Sequence, residues 1–133
     1  MAPHRFPVVR TEQEWRERLT PEQYIVMRRH GTEEPNSCAL LHEKRAGTFA
    51  CAGCDAALFE SKLKFESGTG WPSFTVPVKG SVEEEVDRSH GMMRTEVHCA
   101  TCGSHLGHVF PDGPPPTGLR YCIYGVALNF TPA

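Results

Sequence analysis

The sequence predicts a mainly β protein, with short antiparallel strands behind a helical N-terminal arm and one structural zinc ion holding the pieces together. Three observations carry that expectation. The clear helix-start signals fall in the first thirty residues, the chain from Gly47 onward breaks into short β-prone pieces between turn residues, and two Cys-x-x-Cys units lie within that β region. No helix-length periodic segment separates the strands, so a parallel βαβ sheet has no crossover to build on.

In chain order, Thr11-Glu12-Gln13-Glu14 reads as a capping box ahead of Trp15 and Leu19. Thr20-Pro21-Glu22-Gln23 repeats it, with Pro21 at the first helical position and Tyr24, Ile25 and Met27 behind. Gly31 is the expected stop of this second helix. Thr32 to Arg45 has no periodicity and reads as an irregular segment carrying Cys38. Strands are expected at Thr48–Cys51, Lys64–Phe65, Phe74–Val78, Val82–Val86, Met92–His98, His108–Phe110 and Tyr121–Asn129. Asp112-Gly113-Pro114-Pro115-Pro116-Thr117-Gly118 must be a loop, since prolines donate nothing to a ladder.

The 133 residues fit a single domain, with a helical arm over about 1–45 and a zinc-bound β core over about 46–130. A hydrophobic content of 39 %, with 12 Gly and 11 Pro, gives a modest core that gains from a staple. The net charge of −2 and the acidic run Glu83-Glu84-Glu85 argue against nucleic acid or an anionic membrane as a partner. No run of about 18 apolar residues is present, and Met1 to Pro7 lacks the apolar centre of a secretory signal. A cytoplasmic location follows as the default. There, six cysteines are more naturally reduced than disulfide-bonded.

Cys51-Ala52-Gly53-Cys54 and Cys99-Ala100-Thr101-Cys102 are two thiolate pairs on tight turns. A two-residue gap lets both sulfurs of a pair reach one ion about 2.3 Å away, and two pairs complete a tetrahedron. Four soft ligands select zinc and leave no open position, so the ion is structural. A thioredoxin-like redox motif would need a βαβ setting, and a pair of disulfides would need an oxidising compartment. His98 and His105 flank the second pair as spare donors, although four thiolates already fill the shell.

Cys122 lies in the strand-like run Arg120-Tyr121-Cys122-Ile123-Tyr124, where alternation puts it on one face with Arg120 and Tyr124. A buried structural thiol is one reading. The other is a nucleophile, because a guanidinium on the same face favours the thiolate. His105 and His108 are imidazoles three positions apart, suited to donating protons near a thiolate. Trp71 sits in the glycine-rich turn Gly68-Thr69-Gly70-Trp71, as a lid on the core or an aromatic pocket wall. Trp15 reads as a core residue on a helix face.

Taken together, Cys51-Ala52-Gly53-Cys54, the run Lys64 to Phe74, His90-Gly91-Met92-Met93-Arg94-Thr95-Glu96-Val97, Cys99 to Phe110 and Arg120-Tyr121-Cys122-Ile123 resemble the methionine sulfoxide reductase B family, from about Tyr24 to Phe130. The resemblance implies a β-tent of two antiparallel sheets and reduction of the R epimer of methionine sulfoxide, free or in proteins. It implies Cys122 as nucleophile, His105 and His108 as the imidazoles that protonate or orient the sulfoxide oxygen, and Arg120 as support for the thiolate. Trp71 and Phe110 match the wall that receives the substrate methyl group. A thiolate attacking the sulfoxide sulfur would become a sulfenic acid, which a second thiol condenses to a disulfide.

Two positions depart from the family pattern. Thr69 stands where many members carry the resolving cysteine. Cys38, the remaining cysteine, resembles an alternative resolving position in the family; the other reading is an idle thiol, with the sulfenic acid reduced directly. Tyr124 stands where an asparagine is usual. Thioredoxin as the reductant and a monomeric state are further expectations from the family. The competing class is a non-catalytic zinc-stabilised binding module on the same fold.

Overall fold

The computed structural model describes residues 6–32, 39–88, 91, 93–115 and 117–133. Cys38, His90, Met92 and Pro116 lie outside the described residues. Two short helices, α1 (Glu12–Arg18) and α2 (Pro21–Arg28), open the chain. Both are capped as their sequences predict: the Thr11 hydroxyl accepts from the Glu14 N–H, the Thr20 hydroxyl from the Gln23 N–H, and each third-position side chain bonds back. The end of α2 differs from expectation. His30 takes the left-handed conformation (φ 54°), and Gly31 is required for another reason. Its N–H bonds the Ile25 carbonyl, and a Cβ there would lie 2.5 Å from the Ile25 side chain.

Among the described residues, nine strands follow: β1 (Gly47–Cys51), β2 (Ala57–Glu60), β3 (Lys64–Phe65), β4 (Ser73–Phe74), β5 (Val82–Asp87), β6 (Arg94–Cys99), β7 (His105–Phe110), β8 (Arg120–Ile123) and β9 (Leu128–Pro132). They form a three-stranded sheet ordered β2-β1-β9 and a six-stranded sheet ordered β3-β4-β8-β7-β6-β5, with every pairing antiparallel. The two-sheet, mainly β architecture with N-terminal helices is the one expected.

Several strand readings change, and β7 begins at His105 instead of the expected His108. β2 escapes sequence reading because Leu58 and Phe59 are both buried, so its pattern carries no alternation. Phe74–Val78 shortens to Ser73–Phe74: Thr75 donates instead to Leu63 and Val78 to Leu58, and Pro77 between them donates to nothing. Tyr121–Asn129 splits, because a 3-10 turn at Gly125–Ala127 carries the chain from one sheet to the other. Residues 33–38 of the segment before β1 lie outside the described residues, and a 3-10 turn follows them at Ala39–His42.

The core lies between the sheets. Phe59 stacks on Phe74 at 4.3 Å between ring centroids, with Phe49 against Phe74 and Phe59 against Tyr121. Phe49, Phe59, Phe74, Leu58, Leu106, Val97 and Ile123 are fully enclosed. Each such side chain contributes about 1.5–3 kcal/mol. Cross-strand pairing dictates which side chains look the other way. Phe74 pairs with Tyr121 on the core face, so Ser73 and its partner Cys122 must point to the opposite face.

The arm is fastened to the two cysteine turns. Trp15 is buried between the guanidinium groups of Arg10 and Arg28 and packs on Gly53. Arg10 donates to the Gly53 carbonyl, Arg28 to the Cys102 carbonyl and the Ser104 hydroxyl, and the Val8 N–H to Thr101. Among the described residues, no helix is long and apolar enough to cross a membrane.

Candidate active site and metal centre

The four paired cysteines meet at one point. Their sulfurs all lie within 4.8 Å of one another, with Cys51 3.7 Å from Cys102 and Cys54 3.6 Å from Cys99. Ligands about 2.3 Å from a tetrahedral ion have edges of about 3.8 Å, so this spacing fits a four-thiolate metal site. The two turns are built alike. Asp55 and Gly103, each four positions after the first cysteine of its pair, take left-handed conformations (φ 65° and 76°) and donate back to the Cys51 and Cys99 carbonyls. Two positions after those cysteines, the N–H groups of Gly53 and Thr101 point at the Cys51 and Cys99 sulfurs, as donors would toward thiolates. His98 and His105 are not in this cluster. They turn to carboxylates instead, His98 to Glu83 at 3.0 Å and His105 to Glu96 at 2.6 Å.

The fifth described cysteine has a different setting. Cys122 lines a cavity of about 430 Å³ with Thr69, Trp71, His108, Phe110 and Arg120, and with Thr32, Arg94 and Tyr124. The shared face of Arg120, Cys122 and Tyr124 follows from alternation along β8, with Tyr121 and Ile123 in the core. His108 is the direct cross-strand partner of Cys122. Trp71 stands edge-on to Tyr124, with ring centroids 6.1 Å apart, and both packs against the core and forms a wall of the cavity. Gly107 allows β7 to approach β8 this closely: a Cβ there would lie 2.1 Å from the Cys122 carbonyl.

Charge around the thiol differs from the sequence expectation. Burial pushes the Cys122 thiol up, against the Thr69 hydroxyl (3.9 Å from the sulfur) and the Arg120 charge, which pull it down. Arg120 bonds the thiol but is shared with Asp112. It forms a two-pronged bond to Asp112 (2.9 and 3.1 Å) and lies over the Phe110 ring, and Asp112 opposes ionisation of the thiol. Burial, the largest of these effects, favours the neutral thiol. Ser67 joins Thr69 and Ser73 in a hydroxyl chain behind it (2.9 and 2.7 Å).

The histidines are separated. His108 lines the Cys122 cavity, whereas His105 lines an adjoining cavity of about 150 Å³ with His30, Thr32, Asp87, Arg94, His108 and Tyr124. Tyr124 packs against both Trp71 and His105 and stands between the two chambers, with its hydroxyl bonded to Thr32. Residues three apart on a regular strand point to opposite faces. Here the β6–β7 ladder slips at Leu106, with Val97 opposite Gly107 but His98 opposite His105. That bulge turns both imidazoles to the side of Glu96.

Each imidazole is held by a carboxylate, His105 Nδ1 by Glu96 and His108 Nε2 by Asp87 at 2.8 Å. Burial lowers the His108 pKa, with Arg94 and His105 acting the same way and the Asp87 bond acting against them. Asp87, Arg94, Glu96 and Thr32 were not among the sequence candidates. The readable signal was Arg94-Thr95-Glu96-Val97-His98, where alternation sets three polar groups on one face of a β6 that is largely buried.

Comparison with known proteins agrees with this arrangement. The SelR domain family matches residues 19–132. Peptide methionine sulfoxide reductase MsrB of Bradyrhizobium diazoefficiens is 60 % identical over 126 residues, covering 94 % of this chain and 91 % of that protein. The MsrB proteins of Agrobacterium fabrum (56 %, covering 94 % and 93 %) and Leptospira interrogans (53 %, covering 94 % and 96 %) are similar over the same extent. Matches of this identity, along almost the whole length of both partners, show that the chain belongs to the SelR-domain family of the MsrB methionine sulfoxide reductases.

Proposed function

We propose that this single-domain protein reduces the R epimer of methionine sulfoxide, in proteins and as the free amino acid, to methionine. The observation that carries the reading is one cavity holding Cys122 against His108, with the apolar faces of Trp71 and Phe110 beside it. A sulfoxide sulfur is electrophilic, its oxygen needs a proton, and its methyl group needs an apolar wall. Cys122 supplies the nucleophile, His108 and His105 the proton chemistry, and Trp71 with Phe110 the methyl site. Arg120, clamped by Asp112, partly offsets the cost of ionising the thiol. The product on the enzyme is a sulfenic acid.

Cys38 resolves that intermediate as a disulfide with Cys122. Two flanking features support this. Thr32 lines the Cys122 cavity, and the 3-10 turn at Ala39–His42 packs against the Gly125–Ala127 turn just beyond β8. Thioredoxin then reduces the disulfide. The protein acts as a monomer in the cytoplasm. Cys51, Cys54, Cys99 and Cys102 hold one zinc ion, consistent with their spacing and their all-sulfur donor set. When bound, the ion cross-links the β1 and β6–β7 turns and leaves no position for substrate.

Dithiothreitol-driven reduction of racemic methionine sulfoxide tests the function. It should stop at half conversion. Full conversion, or none, refutes the reading and in the second case favours a non-catalytic binding module.

A further inference from the structure

We propose that Asp87 is the positioning residue of a Cys122–His108–Asp87 triad, holding the His108 ring by Nε2 so that the other nitrogen, Nδ1, takes the Cys122 proton and delivers it to the sulfoxide oxygen. The inference rests on Cys122 being the nucleophile. It begins from one hydrogen bond. Asp87 Oδ2 lies 2.8 Å from His108 Nε2. An ionised carboxylate only accepts, so Nε2 carries the hydrogen and neutral His108 keeps its lone pair on Nδ1. His108 and Cys122 are directly opposed across β7 and β8, which brings their Cβ atoms to about 4.5–5.5 Å and their tips into one cavity.

His105 is held the other way round. Glu96 takes its Nδ1, and its ring lies in the adjoining chamber behind Tyr124. The two imidazoles are therefore not interchangeable, and His108 is the one placed to serve the thiol. Asp87 is in turn oriented by its cross-strand partner Arg94, 3.5 Å away. The groups that face His108 are Asp87 from β5, Arg94 and Glu96 from β6, His105 on its own strand, Arg120 and Cys122 from β8, Tyr124 just beyond it, and His30 after α2.

A neutral thiol beside a neutral imidazole needs such a base, as a serine does in hydrolases that pair it with histidine and aspartate. The reaction then balances without an outside proton. Cys122 gives its proton to His108 Nδ1, and the imidazolium is stabilised by Asp87. The thiolate pair attacks the sulfoxide sulfur, forming a sulfur–sulfur bond. Electrons of the sulfur–oxygen bond move onto oxygen, which takes the proton from His108. The hydroxyl passes to the Cys122 sulfur as the sulfur–sulfur bond breaks, leaving its pair on the methionine sulfur. Cys122 is oxidised by two electrons and the sulfoxide is reduced by two.

The test uses the full chain with its metal bound. Long-range proton–nitrogen NMR of ¹⁵N-histidine-labelled protein should find the neutral His108 protonated on Nε2. A proton on Nδ1 overturns the proposal. Asp87→Asn, whose amide can also hold the ring the wrong way, should lower kcat about 10²–10⁴-fold with little change in KM. It should also displace the pH profile and slow alkylation of Cys122 at pH 7, and Asp87→Glu should restore part of the rate. An Asp87→Asn enzyme with parental kcat and pH profile sinks the idea. If that variant loses metal or unfolds, the tautomer of the unaltered protein decides alone. A parent protein that does not reduce methionine sulfoxide removes the proposed function, while the tautomer and alkylation measurements still judge the triad.

Discussion

The five described cysteines divide into two environments that share a residue type and little else. At the four-cysteine cluster, sulfurs packed 3.6–3.7 Å apart meet one another, backbone N–H groups and the Ser104 hydroxyl, with the Arg28 guanidinium nearby. Four thiolates cannot coexist at that distance without a cation, so the cluster is chemically complete only when loaded. Cys122 has the opposite design. It is a single thiol at a cavity wall, kept neutral by burial and backed by hydroxyls and an imidazole. Proximity to other sulfurs makes a ligand; isolation beside a base makes a nucleophile.

The sharpest way to break this comparison is to remove one sulfur from each environment. Cys122→Ser should lose essentially all turnover, about 10⁴-fold or more, because a serine hydroxyl is a far weaker nucleophile at neutral pH. Its thermal melt and metal content should match the parent. Cys99→Ser should do the reverse in order of cause: the metal is lost first, and folding with it. Strong chelation of the unaltered protein should have the same effect, because the binding energy of such a site is folding energy. Circular dichroism and metal analysis of the two variants check both halves. A Cys122→Ser protein that unfolds, or a Cys99→Ser protein that stays folded without metal, would show that the division is drawn in the wrong place.

A smaller effect is expected at Cys38. On the proposed reading, Cys38→Ser keeps turnover driven by dithiothreitol and loses turnover driven by thioredoxin. Mass spectrometry of the parent after one turnover without reductant should find a Cys38–Cys122 disulfide. A persistent sulfenic acid on Cys122 would take the resolving role from Cys38.

The two environments also differ in how much of them could be read in advance. The cysteine turns were legible because ligand spacing is a local property: two residues between sulfurs, with the turn closed by the residue that follows. The face of Cys122 was legible from the period of a strand. The histidines were not, because two residues three apart face opposite ways unless the ladder slips, and the slip at Leu106 depends on pairing with β6. Their carboxylate partners were harder still. Asp87 and Glu96 reach His108 and His105 across strand pairs, from positions 21 and 9 residues away. Alternation alone does not say which neighbour a buried carboxylate will meet. Arg120 does favour the thiolate, but its two-pronged hold by Asp112, which opposes ionisation, was not visible in the sequence.

Gly107 tests whether the cavity depends on this strand approach. Gly107→Ala places a methyl group where the Cys122 carbonyl already stands, 2.1 Å away. Overpacking of this kind costs about 1–3 kcal/mol and must move β7 away from β8. Activity should fall more than stability, because His108 and Cys122 are the residues displaced, while the metal content should not change. Parental activity in a stable Gly107→Ala protein would mean that the strand spacing is not what sets the site.

The smallest effect concerns Glu96, the buried carboxylate shared by His105 at 2.6 Å, His30 at 2.9 Å and His98 at 3.6 Å. Burial opposes its ionisation, but the bonds from His105 and His98 outweigh that and hold its pKa well below the usual carboxylate range. A lowered folded-state value means the unfolded chain takes up the proton first as pH falls. The stabilisation is therefore present in full above the unfolded value of about 4.3 and is lost as pH drops through the lower folded value. Glu96→Gln should be less stable than the parent in urea at pH 7.5 and at pH 5.5, and the gap should close as the pH falls below about 4.3. A gap of constant size down to the most acid pH at which both proteins fold would assign the effect to shape instead of charge. The cysteine cluster would answer to pH differently, through competition between protons and a bound metal for its thiolates, whereas the imidazole–carboxylate pairs beside Cys122 need no metal to respond.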